Sequence, residues 1–317
     1  MPVAMEIVIE ASAGPRGWPE QDCRCASCSR LRTAGTAHAP TRIRVDGVPL
    51  EALTPREVQG GFDVLAPSGG RLLVAAGAGA MPEPVAGTGY DAVFLDLIGR
   101  PEHLGHLRRI GAVRTGTQVH AVHVDHRVAS ERELERRLAL WLRPPTGPHR
   151  TLLLGGSRSG KSAEAELRLI AHPQVTYAAT GPLPAEADPE WAARVHTHQG
   201  RRPSWWRTLE TVEVAEALRT ETGALLVDGF GTWVAAVMDR CRAWEEPAAV
   251  RPWFDDLVQA WRGTRATVVA VSDEVGLSLV PTTTSGRLFR DLLGELNQRL
   301  AAESEETALI VAGRILS

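Results

Sequence analysis

Thr151-Leu-Leu-Leu-Gly155-Gly156-Ser157-Arg158-Ser159-Gly160-Lys161-Ser162 decides the fold of the second half of this chain. A short apolar segment leads into Gly-x-x-x-x-Gly-Lys-Ser, and residues 163–170 follow with helical character, which is the order a P-loop requires. Gly155 and Gly160 permit backbone angles closed to a residue with a Cβ, so successive N–H groups can turn inward around a phosphate chain. A helix beginning near Lys161 would aim the positive end of its dipole at the same anion. Lys161 reaches β/γ-phosphates as a point charge, and the Ser162 hydroxyl is suited to Mg²⁺. Of the 35 Lys and Arg residues, Lys161 is the one lysine. It stands where a compact ammonium is needed and a planar guanidinium would not fit.

The 317 residues are enough for two domains with separate cores, and 44% hydrophobic with 23% charged residues is ordinary for a globular protein. A net charge of −3 gives no reason to expect a nucleic-acid or anionic-membrane partner. No apolar run approaches the ~20 residues of a membrane span. The first ten residues, MPVAMEIVIE, carry acid early and alternate like a strand, unlike a signal peptide. A cytoplasmic location is expected.

In the first half, Cys23-Arg-Cys25-Ala-Ser-Cys28 gathers three of the four cysteines within six positions. Such spacing suits one tetrahedral zinc if a fourth ligand comes from elsewhere. His126, or alternatively His123, in Val119-His120-Ala-Val-His123-Val-Asp125-His126 is the expected source. On a continuous strand, His120 and His126 share a face that His123 does not. Around these, residues 6–10, 41–45, 71–75, 90–96 and 118–124 read as strands and 102–110 as a helix. Ser130-Glu-Arg-Glu133 opens a further helix, to about Leu142, with a capping-box pattern. Pro144-Pro-Thr-Gly-Pro-His149 breaks the chain, giving expected domains at 1–147 and 148–317.

The thiol cluster, the strand ending in Asp96 and the late His-x-Asp-His resemble the metallo-β-lactamase-like fold, in its branch with a Cys-x-Cys-x-x-Cys structural zinc. No His-x-His-x-Asp-His string lies between Thr41 and Tyr90. The resemblance therefore implies a truncated, non-hydrolytic α/β domain in which Asp96 and His123 are remnants of the old site.

In the second half, apolar strands at 174–180, 223–228, 266–272 and 307–312 alternate with helical patterns, including an amphipathic one over 287–302. This predicts a P-loop NTPase-like, doubly wound, mostly parallel sheet with ligands at the carboxyl ends of its strands. Asp228, closing one strand, is the expected Mg²⁺ partner of the P-loop. Residues 191–198 have helical spacing, with His196 and His198 followed by Gln199-Gly200-Arg201-Arg202-Pro203. An imidazole there can attack phosphorus while arginines neutralise the oxyanions.

The P-loop string, Val175-Thr-Tyr-Ala-Ala-Thr180, Arg194-Val-His-Thr-His198 with Arg201-Arg-Pro203, and Trp206-Arg-Thr-Leu-Glu210 resemble the bifunctional adenosylcobinamide kinase/adenosylcobinamide-phosphate guanylyltransferase family. So do Ser272-Asp-Glu-Val-Gly276 and Gly286-Arg-Leu-Phe-Arg-Asp291 with Leu296-Asn297-Gln298, all in order. The resemblance implies two reactions at one site. A triphosphate (GTP or ATP) phosphorylates adenosylcobinamide at its aminopropanol hydroxyl. His198, or His196 in its place, then takes GMP from GTP and passes it to adenosylcobinamide phosphate.

Carried onto this chain, the resemblance makes Gly155 to Ser162, Thr180, Gln199, Gly200, Arg201, Arg202, Glu210 and Asp228 the nucleotide-binding set. It also makes Lys161 and His198 catalytic, Ser162 and Asp228 the Mg²⁺ ligands, and a homo-oligomer the expected assembly. The chain departs from the family at Asp273, where the family has Asn, and between Asp228 and Trp233. A P-loop kinase without guanylyl transfer and a non-catalytic GTP- or metal-binding module are the alternative readings.

Overall fold

A computed structural model describes residues 5–77, 79–181 and 189–316. The chain divides into two compact units, Met1–Pro144 with Ala171–Pro173, and Pro145–Ile170 with Gln174–Ser317. The change of unit falls at the start of the proline-rich break.

Unit 1 holds a three-stranded antiparallel sheet of β1 (Ile7–Ala11), β2 (Arg42–Val45) and β3 (Val48–Pro49). A second, five-stranded sheet runs β4 (Pro55–Val58), β5 (Gly61–Leu65), β6 (Arg71–Ala75), β7 (Ala92–Leu95) and β8 (Gln118–Ala121), antiparallel up to β6 and parallel beyond. Ile43 and Val45 pack with Val64, Leu72 and Phe94 in one core. Helices α1 (Ala26–Ala34), α2 (Glu102–Arg109) and α3 (Glu131–Leu142) complete the unit. The α3 cap is half of the expected box. Ser130 Oγ accepts from Glu133 N at 3.2 Å, but the Glu133 carboxylate goes to Arg136 and Arg137.

The strand expected over 118–124 stops at Ala121, because His123 takes φ 56°, a left-handed backbone that no strand continues through. The shared strand face expected of His120 and His126 is lost with it. His120 instead stacks on Phe94 at 5.1 Å between centroids.

Unit 2 is built on β9 (His149–Gly155), β10 (Val175–Ala179), β11 (Arg207–Glu210), β12 (Ala224–Asp228), β13 (Thr267–Asp273), β14 (Glu306–Val311) and β15 (Arg314–Leu316). The sheet order is β11-β10-β12-β13-β9-β14-β15, parallel throughout except for the final hairpin. Its helices are α4 (Lys161–Leu169), α5 (Pro189–Arg201), α6 (Val214–Thr220), α7 (Phe230–Cys241), α8 (Arg251–Gly263) and α9 (Thr284–Ala302).

The central strands are mostly apolar because both faces are covered. Leu152, Leu225, Val227, Val268 and Ala270 enter one core with α6 to α9. Their neighbours Leu153, Leu226, Val269 and Val271 enter the other, with Ala165 and Leu169 of α4. Adjacent residues thus serve opposite layers, as the strand period of 2 demands.

Trp233 of α7 is 1% exposed, packs beside Phe230 and Phe254, and donates its indole N–H to the Val212 carbonyl at 2.8 Å. Trp233→Ala is expected to cost about 4 kcal/mol, read as a lower urea midpoint with an unchanged slope.

In unit 2 two strands lie beyond the sequence expectation, as β3, β4 and β5 do in unit 1. The Trp206-to-Glu210 motif forms the edge strand β11. The terminal Gly313-Arg-Ile-Leu turns back as β15 through Ala312 and Gly313, both at positive φ, the backbone of a tight hairpin.

Candidate active site

The P-loop joins β9 to α4. A Cβ on Gly155 would meet Ser159 Oγ at 2.4 Å and the Ile310 carbonyl at 2.7 Å, so only glycine fits there. Gly160 caps α4 at φ 96°, and Arg158 also takes a positive φ. Gly156 faces open space, where a ligand can approach the backbone. Lys161, nearly buried, donates from Nζ to the Gly156 carbonyl at 3.1 Å and pairs with Asp273 Oδ1 at 2.8 Å. The ammonium therefore already has a carboxylate against it.

The strand registers set the acids. Asp228 aligns with Ala179 on one side and Val271 on the other, while Asp273 aligns with Gly155. Both acids thus stand at the carboxyl edge of the sheet, beside the P-loop. Ser162 Oγ donates to Asp228 Oδ1 at 3.4 Å, an oxygen pair suited to a divalent cation. Asp228 Oδ2 accepts from the Tyr177 hydroxyl at 2.5 Å. Burial, then the Asp228 carboxylate, pushes the Tyr177 hydroxyl well above the usual tyrosine range, so it stays protonated as a donor. Losing that donor frees the carboxylate to rotate. Tyr177→Phe is expected to weaken binding of a divalent cation at Ser162 and Asp228 about tenfold, as a calorimetric Mg²⁺ titration would read.

A cleft of about 330 Å³ opens at this edge. Ser157, Lys161, Ser162 and Asp228 line it together with Gln199, Arg202 and Glu210. The structure thus brings these seven of the expected residues into one space. Arg202 lays its guanidinium over the Tyr177 ring at 3.7 Å and reaches Thr208 Oγ1 at 3.4 Å.

Three expected residues sit otherwise. Arg201 turns to Glu166, with Nε to Oε2 at 2.9 Å and Nη2 to Oε1 at 3.1 Å. Thr180 Oγ1 donates to the Gly229 carbonyl at 2.6 Å and accepts from the Gly229 N–H at 3.0 Å, bracing the turn after β12. Gly200 lies in the last turn of α5. His196 is exposed on α5. His198 is on the same helix, and its side chain lies outside the described residues.

Tyr177 and Asp273 are the site residues that sequence reading left without a role. A buried tyrosine on an apolar strand needs a partner for its hydroxyl, and that was the available signal.

In unit 1, the thiols of Cys23, Cys25 and Cys28 lie within 4.8 Å of one another. A Zn–S bond of ~2.3 Å puts tetrahedral sulfurs about 3.8 Å apart, so the donor set fits zinc. The Cys28 backbone N–H lowers the Cys25 thiol pKa, while burial pushes Cys28 up to about 11. Among the described residues no histidine joins the three. His126 Nδ1 lies 3.9 Å from Glu20 Oε2, and His123 lines a separate hollow beside Gly61 and Phe62. Asp96 is bound by Arg127, which also holds Asp125, each at 2.8 Å.

The family model described as "Cobinamide kinase / cobinamide phosphate guanyltransferase" (CobU) matches residues 151–317. The bifunctional adenosylcobalamin biosynthesis protein CobU of Salmonella typhimurium is 37% identical over 175 residues, 51% of this chain and 95% of that protein. Its Escherichia coli namesake is 35% identical over 183 residues, 51% of this chain and 95% of that protein. The bifunctional adenosylcobalamin biosynthesis protein CobP of Pseudomonas aeruginosa is 36% identical over 170 residues, 52% of this chain and 94% of that protein. All three alignments take in about half of this chain and nearly all of the relative. The P-loop, the acid-edged parallel sheet and these matches agree, and through residues 151–317 the chain belongs to the cobinamide kinase/cobinamide phosphate guanyltransferase family.

Proposed function

We propose that unit 2 phosphorylates adenosylcobinamide and then transfers GMP from GTP to the product, a pair of steps in cobalamin biosynthesis. The observation that carries this reading is the single cleft shared by the P-loop, Asp228, and the Gln199, Arg202 and Glu210 side chains beside the histidine-bearing helix α5.

In the first step the aminopropanol oxygen attacks the γ-phosphorus of a nucleoside triphosphate. The bond to the β–γ bridging oxygen breaks, the diphosphate leaves, and the hydroxyl proton passes to solvent. Lys161 draws charge off the transferring group, and the P-loop N–H groups hold the phosphate chain. Mg²⁺ held by Ser162 and Asp228 would neutralise the phosphate oxygens.

In the second step an imidazole nitrogen of His198 attacks the α-phosphorus of GTP. Pyrophosphate leaves, and a phosphorus–nitrogen bond to GMP remains. A phosphate oxygen of adenosylcobinamide phosphate then displaces the imidazole, giving adenosylcobinamide-GDP. Histidine suits both roles, as a nucleophile near neutral pH and as a leaving group once protonated. Arg202 would neutralise the α-phosphate oxygens, and Glu210 and Gln199, which line the same cleft, would contact the guanine nucleotide.

The test is mass spectrometry of the corrinoid after incubation with Mg²⁺ and either ATP or GTP. Phosphorylated product with a triphosphate, and the GDP derivative with GTP, support the reading. An unaltered corrinoid with both nucleotides refutes it.

Unit 1 is read as a truncated metallo-β-lactamase-like domain without hydrolytic activity. Its two sheets and the commitment of Asp96 and Asp125 to Arg127 support this. Cys23, Cys25 and Cys28 would hold a zinc that cross-links the start of α1 to the preceding loop. Metal analysis of wild type against Cys28→Ser decides it.

A further inference from the structure

Two ties hold the C-terminal end of α5, and the first lies outside the chemistry described above. Arg201, the last residue of α5, makes a forked contact with Glu166 of α4, five residues after Lys161. Glu166 is only 5% exposed. A carboxylate so far removed from water requires a positive partner, and the planar guanidinium satisfies both of its oxygens at once. The next residue, Arg202, lies over the ring of Tyr177, whose hydroxyl donates to Asp228. The end of α5 is thereby registered against the P-loop helix and against the strand beside Asp228.

The geometry points to Glu166 as a positioning residue for guanylyl transfer: through Arg201 it sets where the His198-bearing turn of α5 stands relative to the phosphate-binding loop. His198 precedes Arg201 by three residues on the same helix. A nucleophile displaced by about 1 Å loses on the order of 100-fold in rate. The phosphoryl-transfer step draws on Lys161, Ser162 and Asp228, none of which stands on α5. Disturbing the tie therefore separates the two steps. This inference rests on the histidine reading of the second step, and its test is built to fail separately.

Glu166→Gln keeps the shape of the side chain and removes the charge. Arg201→Lys keeps a charge over Glu166 and removes the fork. Each protein is assayed for single-turnover formation of the GMP adduct, for phosphorylation of adenosylcobinamide, and for hydrogen exchange. Glu166→Gln is expected to slow adduct formation about 100-fold and phosphorylation by less than about threefold. Arg201→Lys should fall between wild type and Glu166→Gln for adduct formation. Backbone exchange over residues 195–202 should speed up about tenfold in Glu166→Gln, with α4 unaltered. Equal losses in both steps, or an unaltered adduct rate, overturn the proposal. Unaltered exchange over 195–202 overturns it even if wild type forms no adduct, a result that would refute the histidine reading instead.

Discussion

Lys161→Ala is expected to slow both phosphoryl and guanylyl transfer about 1,000-fold, on the order of 4 kcal/mol of transition-state stabilisation. The loss is that of a donor preorganised against developing phosphate charge. Lys161→Arg should recover almost none of it. The lysine is nearly buried, with its ammonium between the Gly156 carbonyl and Asp273, and a planar fork does not enter the space of a point charge.

Asp273 gives this prediction a second arm. Nucleotide must displace its carboxylate from Lys161, so part of the binding energy goes into breaking that pair. Asp273 is 40% exposed at its side chain, so solvent screens the contact. Asp273→Asn is therefore expected to tighten triphosphate binding by only about threefold. Calorimetric titration reads the affinity, and single-turnover assays read the rates. Weaker binding by Asp273→Asn would mean that the carboxylate serves the nucleotide directly.

His198→Ala should leave phosphorylation of adenosylcobinamide within about threefold of wild type and lower guanylyl transfer by at least about 10⁴-fold. Removing a covalent nucleophile deletes the pathway, whereas removing a binding contact only raises its barrier. His196→Ala, at an exposed position one face away on α5, should lower neither step by more than about twofold. Steady-state assays with each corrinoid substrate separate the two steps.

Much of unit 2 was legible because its signals are local. The P-loop glycines, the apolar strand ending in Asp228, the apolar run over 266–272 and the amphipathic α9 each declare themselves within a short stretch. The two cores follow from the same strands, since Leu152 and Leu153 must face opposite ways.

What escaped the sequence depends on distant partners. Nothing in Arg201-Arg202 says that the first turns to Glu166 and the second to Tyr177, because both answers come from other elements. Edge strand β11 has too few apolar residues to signal itself, and it forms by pairing with β10. The strand ending early at Ala121 is set by a left-handed residue that is not glycine, which composition does not announce. In unit 1 the thiols are legible as a group, while the shared strand face expected of His120 and His126 depends on how the chain is traced, and the turn at His123 breaks it.

The measurement that bears most directly on the account is incubation of the purified protein with α-³²P-GTP and Mg²⁺, followed by denaturing electrophoresis, for wild type, His198→Ala and His196→Ala. The account predicts an acid-labile, base-stable label on wild type and His196→Ala that is absent from His198→Ala. Label lost only in His196→Ala would move the nucleophile by two residues. A wild-type protein that binds GTP and acquires no label would contradict guanylyl transfer through histidine.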